Sequence, residues 1–271
     1  MRLVVWNLCG ATDRKWPHLR ELGPTLAVLP EVAREPRVLR SGGLVPAEAD
    51  WHWVGATPSR GLAVATFGTS SVPLLAPASG RWSVGVRAGR LHAVAVWSCP
   101  SSGGGPAYVT EVRRAVDAHA AWLGASGPRL LAGDFNIMGR GSTAAAVRRL
   151  VDELGELGLH SVYHRFFGEP LGAETRATYF HQRHEARPFH IDFCFLSDDL
   201  LERVTHVEVG TWATWVDRTG AAVSDHVPLV VDLAPDPRDV WAGPGSKRRP
   251  TPTGSGAVSY THLTLPTTER V

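Results

Sequence analysis

The stretch Leu130-Leu131-Ala132-Gly133-Asp134-Phe135-Asn136 limits what this chain can become more than any other. A short apolar run ending in glycine is too brief for a buried helix and suits a strand covered on both faces. Glycine lets the backbone turn sharply, and an Asp and an Asn follow, two residues apart, at the strand exit. Open α/β sheets place their chemistry there, because strand ends hold side chains rigidly while the loops beyond admit a ligand. Turn formation would equally account for Asp134 and Asn136, since both residue types favour turns. Comparable exits elsewhere in the chain weigh against so plain an explanation.

Several such exits exist. Residues 2–7 read as a strand ending at Asn7, and residues 26–29 as one ending at Pro30-Glu31. An acid directly after a buried strand is either a loop residue or a ligand for a cation. Residues 189–196 form a strongly hydrophobic strand with Asp192 embedded in it. A carboxylate in that setting is costly unless paired or hydrogen-bonded, so Asp192 requires a partner. The strand expected at 227–233 follows Ser224-Asp225-His226. Other strands are expected at 51–55, 61–67, 82–87, 91–97, 160–164 and 204–210, with a short run at 177–180. Helices are expected at 12–22, with Thr12 or Asp13 as N-cap, and at 108–123, where Val109, Val112, Val116, Ala120 and Leu123 share a face. A further helix follows the Gly139–Gly141 loop, with Ser142 as N-cap and Val147, Leu150, Val151 and Leu154 as its apolar stripe. Residues 32–50, 98–106 and 168–188 read as loops, and no internal repeat is present.

At 271 residues, 44% apolar and 20% charged, the chain has the make-up of a globular protein with a substantial core. No run approaches the ~18 apolar residues of a membrane span. Met1-Arg2-Leu3-Val4-Val5-Trp6-Asn7 turns polar too quickly for a signal peptide. Cys9, Cys99 and Cys194 lie far apart and are odd in number, as expected of reduced thiols in a cytoplasmic protein. From Asp236 onward there are five basic and three acidic residues, a surplus of two that equals the whole chain's net charge of +2. Residues 1–235 are therefore balanced, whereas proteins gripping long nucleic acid usually carry a basic excess. Residues 236–271 are rich in Pro, Gly, Ser and Thr and are expected to be a disordered tail. Within it, residues 258–268 resemble one reading frame of a transposon adapter used in sequencing libraries. They are set aside as an assembly artefact, which would leave the native C-terminus outside this sequence.

Taken in order, Trp6-Asn7, Pro30-Glu31, Gly133-Asp134-Phe135-Asn136, Ile191-Asp192-Phe193 and Ser224-Asp225-His226-Val227-Pro228 resemble the endonuclease/exonuclease/phosphatase superfamily, which includes pancreatic deoxyribonuclease and the abasic-site endonucleases. Each motif is weak alone; five in order across residues 1–235 are specific. The resemblance implies a four-layer α/β/β/α sandwich, with two mostly antiparallel mixed sheets flanked by helices, over residues 1–235. Hydrolysis of an anionic phosphodiester needs charge neutralisation and a positioned water. By resemblance, Glu31 is the principal ligand of Mg²⁺ or Mn²⁺, with Asn7 beside it. Asp225 is a further ligand or a structural hydrogen-bonder. Asp134 would orient or deprotonate the attacking water, and Asn136 would donate to the phosphoryl oxygen. His226 would bind or protonate the phosphate, oriented by Asp192.

Two departures stand out. The strand Ala93-Val94-Ala95-Val96-Trp97 ends in Trp where deoxyribonucleases and sphingomyelinases carry a second catalytic histidine. Indole cannot shuttle a proton, which leaves Trp97 an aromatic contact to substrate. Cys9 stands where abasic-site endonucleases carry an acidic metal ligand, which favours one metal ion over two. Tyr163 and His164 are candidates to supply the lost function, with core placement as the alternative, and His190 is expected to line the cleft. A zinc site among His181, His184 and His190 lacks the tighter pairings with Cys that such sites usually show. The expectation is a metal-dependent phosphoesterase acting on phosphodiesters, with DNA or RNA as the first substrate class. A phosphomonoesterase acting on a nucleotide, lipid or sugar phosphate is the alternative, and so is a catalytically silent binding domain of the same fold.

Overall fold

The computed structural model describes residues 1–10, 12–34, 49–74, 82–99, 104–217 and 224–238. Parts of three expected irregular segments, residues 35–48, 100–103 and 239–271, lie outside the described residues, and so does the whole of 258–268.

Alternation along the first strand sets the layers. In β1 (Arg2–Val5), Leu3 and Val5 enter one core, while Val4 and the following Trp6 enter another beneath helix α1 (Thr12–Glu21). The same division recurs in β2 (Leu26–Val32), with Leu26 and Val28 on one side and Ala27 and Leu29 on the other. After β3 (Ala49–Thr57) and β4 (Arg60–Phe67) the chain leaves this sheet to build a second. That sheet comprises β5 (Ser71–Leu74), β6 (Ser83–Ala88), β7 (Leu91–Trp97), β8 (Arg129–Asp134), β9 (Leu159–Ser161) and β12 (Asp192–Ser197). A two-stranded ribbon, β10 (Tyr179–Phe180) and β11 (Pro188–Phe189), lies between them in sequence. Finally β13 (Val204–Val209) and β14 (Leu229–Leu233) return to the first sheet.

The strand orders are β13-β14-β1-β2-β4-β3 and β5-β6-β7-β8-β12-β9. One parallel pair occurs in each, β1 with β2 and β7 with β8, and the remaining pairs are antiparallel. The inner faces meet in a shared core that includes Leu3, Val28, Val64, Ala93, Leu130 and Val231. The outer face of the second sheet is covered by α2 (Gly105–Ala118), α3 (Ala120–Leu123) and α4 (Ala144–Glu156). Val112, Val147 and Leu150 there meet Val94, Leu131 and Phe195, each fully buried apolar side chain contributing about 1.5–3 kcal/mol over exposure. Short helices α5 (Val162–Phe167), α6 (Asp198–Leu201) and α7 (Trp212–Trp215) complete the chain. This is the four-layer sandwich the motifs imply. No helix among the described residues is long and apolar enough to cross a membrane.

Gly133 fixes the central strand. Its φ is +144°, and a Cβ there would lie 1.8 Å from the carbonyl oxygen of Val96. Only glycine lets β8 run that close to β7, with Asp134 opposite Trp97.

Local expectations differ from the structure at four points. The helix expected over 108–123 breaks at His119, whose ring nitrogen Nε2 pairs with Ser83 Oγ at 3.2 Å. The strand expected over 160–164 is strand only to Ser161; from Val162 it is helix, with the Tyr163 and Phe167 rings one turn apart at 4.9 Å and Gly168 left-handed at its end. Ser142 lies in a single turn of 3₁₀ helix (Gly141–Thr143), and Thr143 takes the N-cap position of α4 without a side-chain bond. Strand β5 has no apolar run to announce it; it is an edge strand carrying Pro73.

Candidate active site

The site forms at one edge of the sandwich, where strands of both sheets end. The parallel pairing with β2 continues past the end of β1: Trp6 N–H bonds Val28 O, Leu8 N–H bonds Pro30 O, and Gly10 N–H bonds Glu31 O, each at 2.9–3.0 Å. This sets Asn7 beside Glu31. In the second sheet β8 and β12 are antiparallel with Asp134 directly opposite Asp192, so an exit and an entrance share one place. Three residues here take left-handed backbone without being glycine: Cys9 (φ 47°), Glu31 (φ 59°) and Asn136 (φ 52°). Glu31 sits at a bulge between Pro30 and Val32, which re-aims a side chain that regular pleating would turn elsewhere.

Hydrogen bonds then cross from sheet to sheet. Asn7 Nδ2 donates to Glu31 Oε1 at 3.1 Å and to Asp134 Oδ2 at 2.9 Å, while its Oδ1 accepts from Cys9 N–H at 2.8 Å. The amide orientation follows, because nitrogen faces two carboxylates and oxygen faces a donor. Asp134 Oδ1 accepts from Asn136 N–H at 3.1 Å, and Asn136 Nδ2 donates to Ser98 O at 3.0 Å. His226 Nδ1 donates to Asp192 Oδ2 at 2.8 Å, and its Nε2 lies 4.0 Å from Asp134 Oδ2. Asp192 thus has the partner its burial demands. Main-chain anchors hold the histidine: Trp6 Nε1 donates to His226 O, and Ser224 Oγ accepts from His226 N–H while donating to Asn7 O. Thr178 Oγ1 accepts from the N–H groups of both Ile191 and Asp192.

Burial works against the His226 imidazolium, but Asp192, by charge and hydrogen bond, with Asp134 and Asp225 behind it, pushes the ring up to about 9. Asp134 is pushed up by burial and by the charge of Asp192, against the pull of His226 and Asn7. Cys9 is pushed up by burial and by the carboxylates of Asp225 and Glu31, which flank it, so it is a neutral thiol.

Among the described residues one group of side chains could take a divalent ion. Asp134, Asp192 and His226 offer ligand atoms within 4.8 Å of one another, and Asp192 Oδ1 is buried with no hydrogen-bond partner among the described residues. His226 in that group is already committed to Asp192. Glu31 and Asp225 are each partly open to solvent, and both bear by charge on Cys9. Asn7 is occupied at both ends of its amide and bridges the Glu31 and Asp134 carboxylates from within.

Of the other expected site residues, Trp97 is buried (2% exposed). Trp82 meets it edge-on at 5.0 Å, and the Arg60 guanidinium covers its face at 5.1 Å. Tyr163, His164 and His190 gather behind Asp192 in a cluster with Phe193. Tyr163 OH bonds Glu169, His164 Nε2 meets Glu174 at 3.1 Å, and His190 Nδ1 donates to Arg176 O. Burial lowers the His190 pKa. Among the described residues, His181, His184 and His190 form no metal-binding group.

Three residues at the site carry no sequence signal. Arg60 Nη2 bonds Glu31 Oε2 at 2.7 Å. The Tyr179 ring lies against the His226 ring at 4.6 Å, and Tyr179 forms a β-bridge with His226 that ties the ribbon to the first sheet. Buried Lys15 donates to the carbonyls of Leu8 and Gly10 and, at 3.4 Å, of Cys9, fixing the loop that follows Asn7.

No protein-family model and no curated protein matches this sequence. Solved structures do match. An AP endonuclease from Archaeoglobus fulgidus superposes with a TM-score of 0.67 at 15% identity, covering 87% of this chain and all of that one. The 3′ phosphatase NExo from Neisseria, bound to a product DNA hairpin, gives 0.65 at 17% identity over 86% of this chain and 99% of that one. The APE2 catalytic domain from Xenopus laevis gives 0.63 at 16% over 86% and 91%. These are members of the endonuclease/exonuclease/phosphatase superfamily, and their fold is the fold of this chain.

Proposed function

We propose that this protein is a divalent-metal-dependent phosphoesterase that hydrolyses phosphodiester bonds in DNA or RNA. One observation carries the reading: Asn7 Nδ2 bonds Glu31 and Asp134 together, with His226 held between Asp134 and Asp192. A cation-binding carboxylate, a base and an acid are thereby fixed around one spot. The likeness to an AP endonuclease and to NExo supports the same reaction class.

In this reading Glu31 and Asp225 would hold Mg²⁺ or Mn²⁺, which would supply positive charge to the phosphate oxygens. The neutral thiol of Cys9 favours a single ion. Asp134 takes a proton from the attacking water, its carboxylate steadied by Asn7 and by the Asn136 N–H. Asn136 keeps one amide N–H beyond its bond to Ser98 O and directs it at a phosphoryl oxygen. The His226 imidazolium, held charged by Asp192, binds the phosphate or protonates the leaving oxygen. A second substrate, a terminal phosphomonoester, is favoured by the balanced charge of residues 1–235 and by the phosphatase named among the structural relatives. On the odd number and wide spacing of Cys9, Cys99 and Cys194 we also propose a cytoplasmic location.

The test is a screen of single- and double-stranded oligonucleotides, 3′-phosphate-ended oligonucleotides and small phosphate esters with Mg²⁺ and with Mn²⁺. Turnover should vanish with EDTA, and Asp134→Ala should cost about 10²-fold or more. Wild-type-like turnover in Asp134→Ala removes that residue from the mechanism. Tight ligand binding without turnover of any ester makes the protein a silent member of the fold.

A further inference from the structure

Arg60 opens β4, immediately after the tight connection from Thr57, and Gly61 follows it. A Cβ at Gly61 would lie 2.2 Å from Val54 O and 2.4 Å from the Trp53 ring, so β4 is pressed onto β3 and the Arg60 backbone is fixed. The side chain is 57% exposed, yet its guanidinium is placed twice over. Nη2 bonds Glu31 Oε2 at 2.7 Å, and Cζ lies 5.1 Å above the centre of the Trp97 ring. Among the described residues no other side-chain hydrogen bond holds Arg60, so most of its guanidinium donors are uncommitted beside Glu31 and Trp97. It thereby joins the exit of β2 in one sheet to the exit of β7 in the other.

We propose that Arg60 is a substrate-phosphate-binding residue, which uses Trp97 as a platform and shares Glu31 with the divalent cation. The proposal deepens the phosphoesterase reading and rests on it. Three physical points support it. A guanidinium presents a planar fork that takes two oxygens of one phosphate, and both diesters and monoesters offer two unesterified oxygens. An aromatic face beneath the fork excludes water from one side and strengthens its hold on an anion. Lastly, the indole at position 97 cannot move a proton but does position a cation, so Arg60 brings non-titrating positive charge to the end of β7. An ordinary surface ion pair explains the Glu31 contact alone; it does not explain the ring beneath.

Sharing Glu31 gives the proposal an opposed pair of outcomes. Arg60→Met should tighten Mn²⁺ binding by about two- to fivefold, the span of a partly exposed ion pair no longer competing for the carboxylate. The same change should weaken inorganic phosphate, measured by calorimetry on the Mn²⁺-loaded protein, by about tenfold or more. Arg60→Lys keeps the charge but not the fork, so its Mn²⁺ affinity should stay near wild type while phosphate binding falls between the other two. Tighter Mn²⁺ with weaker phosphate supports the proposal; no change in either, or loss of both, overturns it. Glu31→Gln separates this from the wider reading. If Glu31→Gln binds Mn²⁺ and turns substrate over like the wild type, the phosphoesterase assignment of Glu31 fails whatever Arg60 does.

Discussion

Replacing Asp192 with Asn probes the charged heart of the site. Asp192 is fully buried, and its Oδ2 takes the His226 Nδ1–H at 2.8 Å. Asn keeps the volume and, through its own oxygen, an acceptor for that N–H, so the ring stays in place while the charge is lost. Burial alone disfavours the imidazolium; Asp192 is the strongest influence opposing it and holds the ring up to about 9. In Asp192→Asn the ring should fall to its ordinary 6.5 or lower, since burial is unchanged. That drop is a factor of about 300 in protonation, or roughly 3 kcal/mol. A raised pKa means that the charged form is complete below about 6.5 and disappears as pH climbs through about 9. The variant should lose it already on passing about 6.5. Its rate deficit is therefore slight near pH 6, about tenfold near pH 7.5 and about 300-fold above pH 9. The rate–pH profile at saturating Mg²⁺ measures this, and NMR titration of the His226 ring measures the cause. A deficit equal at every pH, or a ring that titrates as in the wild type, refutes the reasoning.

Two further changes test the scaffold. Gly133→Ala puts a Cβ 1.8 Å from Val96 O and strains a left-handed backbone; it should cost about 3 kcal/mol or more in urea unfolding, and an unshifted midpoint would contradict the close approach of β8 to β7. Lys15→Met strips the donor from the carbonyls of Leu8 and Gly10 and should cost about 1–3 kcal/mol. Thermal unfolding reads that loss, and an unchanged midpoint would mean that these carbonyls find other partners.

Strand exits were the legible part of this protein. Asn7, Glu31, Asp134, Asn136 and Asp192 each follow or interrupt an apolar run, and Asp225-His226 precede one, patterns that a local window contains. The buried carboxylate of Asp192 even announced that a partner must exist, and the structure supplies His226. Arg60 and Tyr179 were not legible, because each reaches the site from a hairpin whose approach is set by distant strands. Helix α5 was misread for a related reason: the contact of Tyr163 with Phe167 and the left-handed Gly168 prevail over the preference of Val162 for a strand. At Trp97 the resemblance implied an indole in place of a histidine; that a guanidinium covers this indole depends on β4 crossing to β7, which no short stretch encodes.

Two of the bonds that assemble the site run from one sheet to the other. Asn7 and His226 belong to one slab, Asp134 and Asp192 to the other, and 2.8–2.9 Å contacts fasten them across the seam. Under the proposed function, catalytic competence would double as a gauge of how the slabs are aligned. A slip of an ångström or two, too small to melt any strand, would part donor from acceptor at both fastenings, so turnover should fail on gentle heating before any spectroscopic sign of unfolding.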